Sequence, residues 1–253
     1  MELDITGAKV FYTIPIDFPV LGRIQISETI VISWLVMLII TGLCIWMTRD
    51  LKVKDISRRQ AAAEMIVELA NNFVTGNMGE KFRSFIPFVA ALFATSLFSN
   101  LISLTGLRSP TADLSTEAAW ATVVFIMITA QKIKANGVGG YFLSFTTPIK
   151  VLTPFNILSE LATPISMACR HFGNIISGIV INGLVYGALA AATAALLKWI
   201  PGVLGDVLSQ IPFLDVGIPA VLSVYFDWFT GFMQAFIFCM LTVMYIANAA
   251  EAE

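Results

Sequence analysis

Charge is scarce in this chain. Asp, Glu, Lys and Arg make up 13% of its 253 residues against 57% hydrophobic, a balance found in polytopic membrane proteins and not in soluble domains. A formal net charge of −2 leaves no basic surface of the kind nucleic acid requires. The single histidine, His171, excludes a His-x-x-x-His metal pair, and neither a Gly-x-Ser-x-Gly elbow nor a phosphate-binding glycine loop occurs. A membrane enzyme is therefore not expected, and no cofactor or metal with it. Cys44, Cys169 and Cys239 all fall inside apolar segments and read as small buried hydrophobes. The first 28 residues carry Glu2, Asp4, Asp17 and Glu28 with no basic, apolar leader, so no signal peptide is expected. No internal repeat relates two halves, which weighs against a secondary transporter or a channel acting alone.

What the chain has is long apolar runs. Residues 30–48 are uncharged over a length close to a bilayer core and are followed at once by Arg49, Lys52, Lys54, Arg58 and Arg59. Over 56–76, Ala62, Met65, Ile66, Leu69, Ala70 and Phe73 recur at helical spacing opposite Arg59, Glu64, Glu68 and Asn72, the pattern of an amphipathic helix lying on the membrane. A second span is expected over 84–104, with Pro87 near its start. A short connection holding Arg108, Pro110, Thr111, Asp113 and Glu117 leads into a third span over 113–133, capped by Asp113 and closed by Lys132 and Lys134.

Residues 156–197 and 218–250 read as helices of roughly 60 and 50 Å, too long to stand upright in a core of about 30 Å. Joined by the Pro/Gly-rich segment 200–217, they are expected to form a steeply tilted hairpin. The fold class is thus all-α and polytopic, with five membrane-crossing helices, one interfacial helix and an outer segment 1–29. With the N-terminus outside, ten Lys/Arg fall on the inner side and only four, Lys9, Arg23, Arg108 and Lys198, face outward.

Arg170 is the only charge between Leu161 and Leu197, and a charge at membrane depth costs at least about 2.5–3.5 kcal/mol unless a protein interior or water meets it. Ser159, Thr163, Ser166, Arg170, Asn174 and Ser177 follow at helical steps, within about 80° of one another. On the last helix Asp227, Thr230, Gly231, Gln234, Thr242, Tyr245 and Asn248 spread over about 120°, interrupted by Phe238 and Leu241. Two polar half-paths separated by an apolar plug and a fixed cation would force an ion to cross by another route. Asp227 as a plain salt-bridge partner of Arg170 is the rival reading. His171 points about 100° away from the stripe and reads as a packing residue.

The segment Pro164-Ile-Ser-Met-Ala-Cys-Arg170-His-Phe-Gly-Asn174 resembles the arginine motif of the a subunit of F-type ATP synthases. Gln234-Ala-Phe-Ile-Phe-Cys-Met-Leu-Thr-Val-Met-Tyr245-Ile resembles that family's glutamine motif. Pro110-Thr-Ala-Asp113-Leu and Ser99-Asn100-Leu-Ile-Ser-Leu are similar to its other recurrent segments. The resemblance implies a stator subunit, not catalytic alone, with two offset half-channels that carry H+ or Na+ to and from the carboxylates of a c-subunit ring. It implies b-type stalk subunits and the remaining synthase subunits as partners, in a bacterial plasma membrane. Arg170 then matches the essential arginine and Gln234 the glutamine beside it. Asn174, Asp227 and Asp113 match the outer path, and Glu160 and Ser166 lie towards the inner one, with Asn100 and Tyr245 in the matching segments. The chain departs from the family at Ile179, where many members carry a glutamate, and at Asp227, where many have histidine or an acid.

Overall fold

Helices form where the apolar runs are, and the breaks between them carry the capping chemistry. The computed structural model describes residues 9–18, 22–147, 149–197 and 224–250. Strands β1 (Val10–Phe18) and β2 (Gly22–Ser27) pair antiparallel ahead of the first helix. Arg23, Gln25 and Ser27 alternate with Ile24 and Ile26, which is the period of a strand. Helix α1 (Glu28–Thr48) follows, with the Ser27 and Thr29 hydroxyls 2.7 Å apart at its start.

Helix α2 (Arg58–Met78) begins where Ser57 accepts a hydrogen bond from the Gln60 amide. It ends at Gly79, whose φ of 87° a residue with a Cβ adopts only under strain. Helix α3 (Ile86–Leu101) carries Pro87 in its first turn and is flanked by 3₁₀ turns at Glu80–Phe85 and Ile102–Thr105. Helix α4 (Leu114–Ser144) is capped by Asp113 and bends at Gly137, where φ is 71°. Lys132 and Lys134, expected to close this span, fall in the turns just before that break. Helix α5 (Thr153–Leu197) runs for 45 residues, and a π-helical stretch, Val224–Thr230, leads into α6 (Gly231–Ala250). The loop 200–217 and the start of the run expected from 218 lie outside the described residues.

Among the described residues five segments are long and apolar enough to cross a membrane: α1, the stretch Glu80–Thr105 around α3, α4, the stretch Lys150–Thr193 of α5, and Trp228–Ala250. Helix α6 sits at the centre. Its Phe238, Val243 and Ile246 pack with Val89 and Leu92 of α3, Val124 and Ile128 of α4 and Met167 of α5 in one buried cluster. Helix α1 docks more lightly, through Ile32 and Val36 against Ile102. Helix α5 is one-sided, because Met167, Ala168 and His171 are buried while Leu158, Leu161 and Ile165 are 64%, 55% and 62% exposed.

A buried polar latch holds together one end of the bundle. Asn100 donates through Nδ2 to the Gly231 carbonyl at 2.9 Å and accepts at Oδ1 from the Thr111 hydroxyl at 2.8 Å. The Ser109 hydroxyl donates to the Ser99 carbonyl at 2.6 Å. At Gly231 an added Cβ would stand 3.1 Å from the Asn100 Cβ, so a side chain there would push Asn100 back by a few tenths of an ångström. Asn100→Ala takes one hydrogen bond each from the Gly231 carbonyl and the Thr111 hydroxyl, which keeps its contact with the Ser109 hydroxyl, at about 0.5–1.5 kcal/mol for each bond lost. We expect a clear fall in the thermal unfolding temperature of the detergent-solubilised subunit, and an unchanged transition would show that the latch does not hold α3 to α6.

Candidate functional site

Helical periodicity places Arg170 on the open face of α5, and it is exposed there. Among the described residues its guanidinium has no ion pair. One turn further along, Asn174 donates through Nδ2 to Gln234 Oε1 on α6 at 2.5 Å. Gln234 is buried and its Nε2 has no partner. The two polar stripes read in the sequence therefore meet at Asn174 and Gln234, next to Arg170. Ser166, one turn before Arg170, shares the exposed face.

Towards the other end of the α4–α5 seam, the Lys132 ammonium donates to Glu160 Oε2 at 2.6 Å. The pair borders a cavity of about 160 Å³ whose polar wall is Lys132, Glu160, Thr163, Tyr245 and Asn248. Pro164 inside α5 has no amide hydrogen, so the Glu160 carbonyl loses its usual helical donor and adds an acceptor near that cavity. Glu160 and Tyr245, some eighty residues apart in the chain, thus come together. Thr163 hydrogen-bonds back to the Ser159 carbonyl, the local satisfaction expected of a hydroxyl in a membrane helix.

Asp113 stands at the opposite end of α4. Its Oδ1 accepts from the Ser115 amide at 3.2 Å and its Oδ2 from the Thr29 hydroxyl at 3.2 Å. Asn100 belongs to the latch and is not on the open face. Asp227 lies in Val224–Thr230, but its side chain, like that of Ile179, is outside the described residues.

Two ionisable residues did not stand out in the sequence as a pair. Glu117 Oε2 lies 2.9 Å from His171 Nδ1, and neither side chain has any exposed surface. The His171 ring sits 5.6 Å from that of Phe238 and 6.3 Å from that of Trp120, centroid to centroid. His171 does pack, as expected, but against an acid as well as aromatics. Glu117 was legible only as a connection residue. The signal was its register: Glu117, Ala121, Val124, Ile128 and Lys132 follow at steps of four, three, four and four, so the buried stripe of α4 carries an acid at one end and a cation at the other.

Comparison with known proteins points to one family. The family described as ATP synthase A chain matches residues 30–247. Over 91% of this chain and 90% of its own length, "ATP synthase subunit a 1" of Crocosphaera subtropica is 33% identical. The protein of the same name from Chlorobaculum parvum is 34% identical over 92% of each chain. "ATP synthase subunit a, sodium ion specific" of Propionigenium modestum is 28% identical over 98% of this chain and 87% of its own. With five membrane-length helices and a match that runs through nearly all of them, this chain belongs to the ATP synthase A chain family.

Proposed function

We propose that this protein is the ion-carrying stator subunit of a rotary F-type ATP synthase, with the open face of α5 set against a ring of c-type subunits. The observation that carries the reading is Arg170, a guanidinium on an exposed apolar helix face without a counter-ion among the described residues. Such a charge at membrane depth calls for a partner carboxylate or water, and a carboxylate on a moving ring supplies one intermittently.

In this reading ions enter from outside past Asp113, Asn174 and Asp227 and neutralise a ring carboxylate, which then turns into lipid without burying a charge. After most of a turn it meets the cavity of Glu160, Tyr245 and Asn248 and ionises. Arg170 stabilises the ionised carboxylate, so release happens on one side and loading on the other. Lys132 pairs with Glu160 at the edge of that cavity, so a departing cation meets a carboxylate that already has a partner and is not trapped by it. Each elementary charge crossing the potential contributes about 2.3 kcal/mol per 100 mV. The carried ion is H+ or Na+, and b-type stalk subunits hold the stator against the ring's torque. Helix α2, with Met65, Ile66 and Leu69 exposed, lies along the membrane surface, and α5 with α6 forms a tilted hairpin.

Arg170→Ala should abolish ion-coupled ATP synthesis in inverted vesicles while the protein remains in the membrane. Lysine should rescue poorly, because a strongly hydrated ammonium lacks the planar fork. Coupled synthesis at the native rate in Arg170→Ala would remove the proposal. The orientation is checked by impermeant thiol labelling in a chain without its own cysteines. Val53→Cys should react only from the cytoplasmic side and Leu107→Cys only from outside, and labelling of both from one side would contradict it.

A further inference from the structure

We infer that Glu117 and His171 form a proton-holding station on the outer half-path, feeding the site beside Arg170; this rests on the function proposed above. Three observations converge on it. The two groups meet at 2.9 Å with no exposed surface, and buried ionisable pairs in a membrane bundle are expensive enough to be there for a reason. Beyond that close approach neither group has a hydrogen-bond partner: both carboxylate oxygens of Glu117 and both ring nitrogens of His171 are buried without one, and so is Gln234 Nε2. These atoms share one layer, since His171 stacks near Phe238, one turn beyond Gln234 on α6, and Asn174, three residues after His171, bonds to Gln234. Buried polar atoms without a protein partner are normally satisfied by ordered water, which is also what carries a proton between them.

The layer lies between an entrance and an exit. Asp113, half-buried, stands one turn before Glu117 on the same face of α4. Arg170 is the chain neighbour of His171, pointing to the other side of α5. Among the described residues the charged or titratable groups next to the pair are Asp113 at the start of α4 and Arg170 on α5, while α6 presents Phe238 and Gln234.

Charge bookkeeping makes this a one-proton site. Without its exchangeable proton the pair is a buried anion. With it the pair is neutral, whether the proton sits on Glu117 Oε2 or His171 Nδ1. A second proton would make a buried cation in the residue next to Arg170, which is disfavoured. The transfer moves protons only. The Glu117 carboxylate takes H+ from a hydronium arriving past Asp113, leaving water, and later yields that H+ to a water on the Gln234 side, regenerating carboxylate and hydronium. His171 keeps the neutral state accessible in a medium that penalises charge.

The test uses the assembled complex in vesicles, reading the amount of complex and ATP-driven proton uptake on the same membranes. Glu117→Gln keeps shape and hydrogen bonding but holds no exchangeable proton, and proton uptake should fall at least about tenfold with assembly retained. The double variant Glu117→Leu with His171→Leu removes both groups and strands neither, an exchange that buried ion pairs often tolerate. It too should assemble and lose uptake. A purely structural pair predicts the reverse, full uptake in the leucine variant, and that result would overturn the inference. So would native uptake in Glu117→Gln, uptake of Na+ alone, or failure of the leucine variant to assemble. Arg170→Ala run in parallel separates the two levels. If it pumps normally the proposed function fails, and if it does not while the leucine variant does, only the proton station fails.

Discussion

Arg170 faces out of the bundle because His171 faces into it. Successive residues of a helix differ by about 100°, so the contact that buries His171 fixes the direction of its neighbour. The α4–α5 seam sets that rotation with two charged contacts of opposite polarity, Glu117 to His171 at one end and Lys132 to Glu160 at the other. Between them the seam is apolar, with Val124 and Ile128 in the same cluster as Met167 and Ala168. A slip of one residue would take His171 off the acid and turn Arg170 towards hydrocarbon. Buried pairs are poor sources of net stability, yet they discriminate sharply between registers, because losing one partner leaves a charge stranded.

The rest of the bundle supports this seam. Helix α6 supplies the wall against which α4 and α5 are both aligned, and the Asn100 latch anchors its first residue, Gly231, to α3 and to Thr111. Gln234 follows less than one turn later and reaches Asn174, so the latch and the arginine site are joined through a single short stretch of helix. The open side of α5 is left covered with leucine and isoleucine around the cation, a surface fit for lipid or for another apolar helix and unfit for water.

The spans were legible because apolar runs and basic flanks are local properties. The two polar stripes were legible because helical periodicity converts spacing into direction, and Asn174 bonding Gln234 across sixty positions is what the stripes require. The charged seam was not, since it depends on which faces of α4 and α5 meet. Glu117 falls in the first turn of a helix expected from Asp113 and Lys132 near its break at Gly137, but nothing local says that His171 and Glu160 of α5 cover them. The β1–β2 hairpin was missed because its few alternating residues are a weak signal beside nineteen-residue apolar runs. For Asp227 the sequence supplies the residue and the helix, and nothing about its contacts.

The central claim is that the exposed face of α5 meets a ring of carboxylate-bearing subunits. Disulfide cross-linking in native membranes tests it most directly, using a chain without its own cysteines and cysteines placed along the outer helix of the ring subunit. Ile165→Cys, on the exposed face, should give a cross-linked product of the two subunits, and Ala168→Cys, which is buried against α4 and α6, should give none. Cross-links at Ala168→Cys with none at Ile165→Cys would place the ring on the wrong side of α5 and contradict the account.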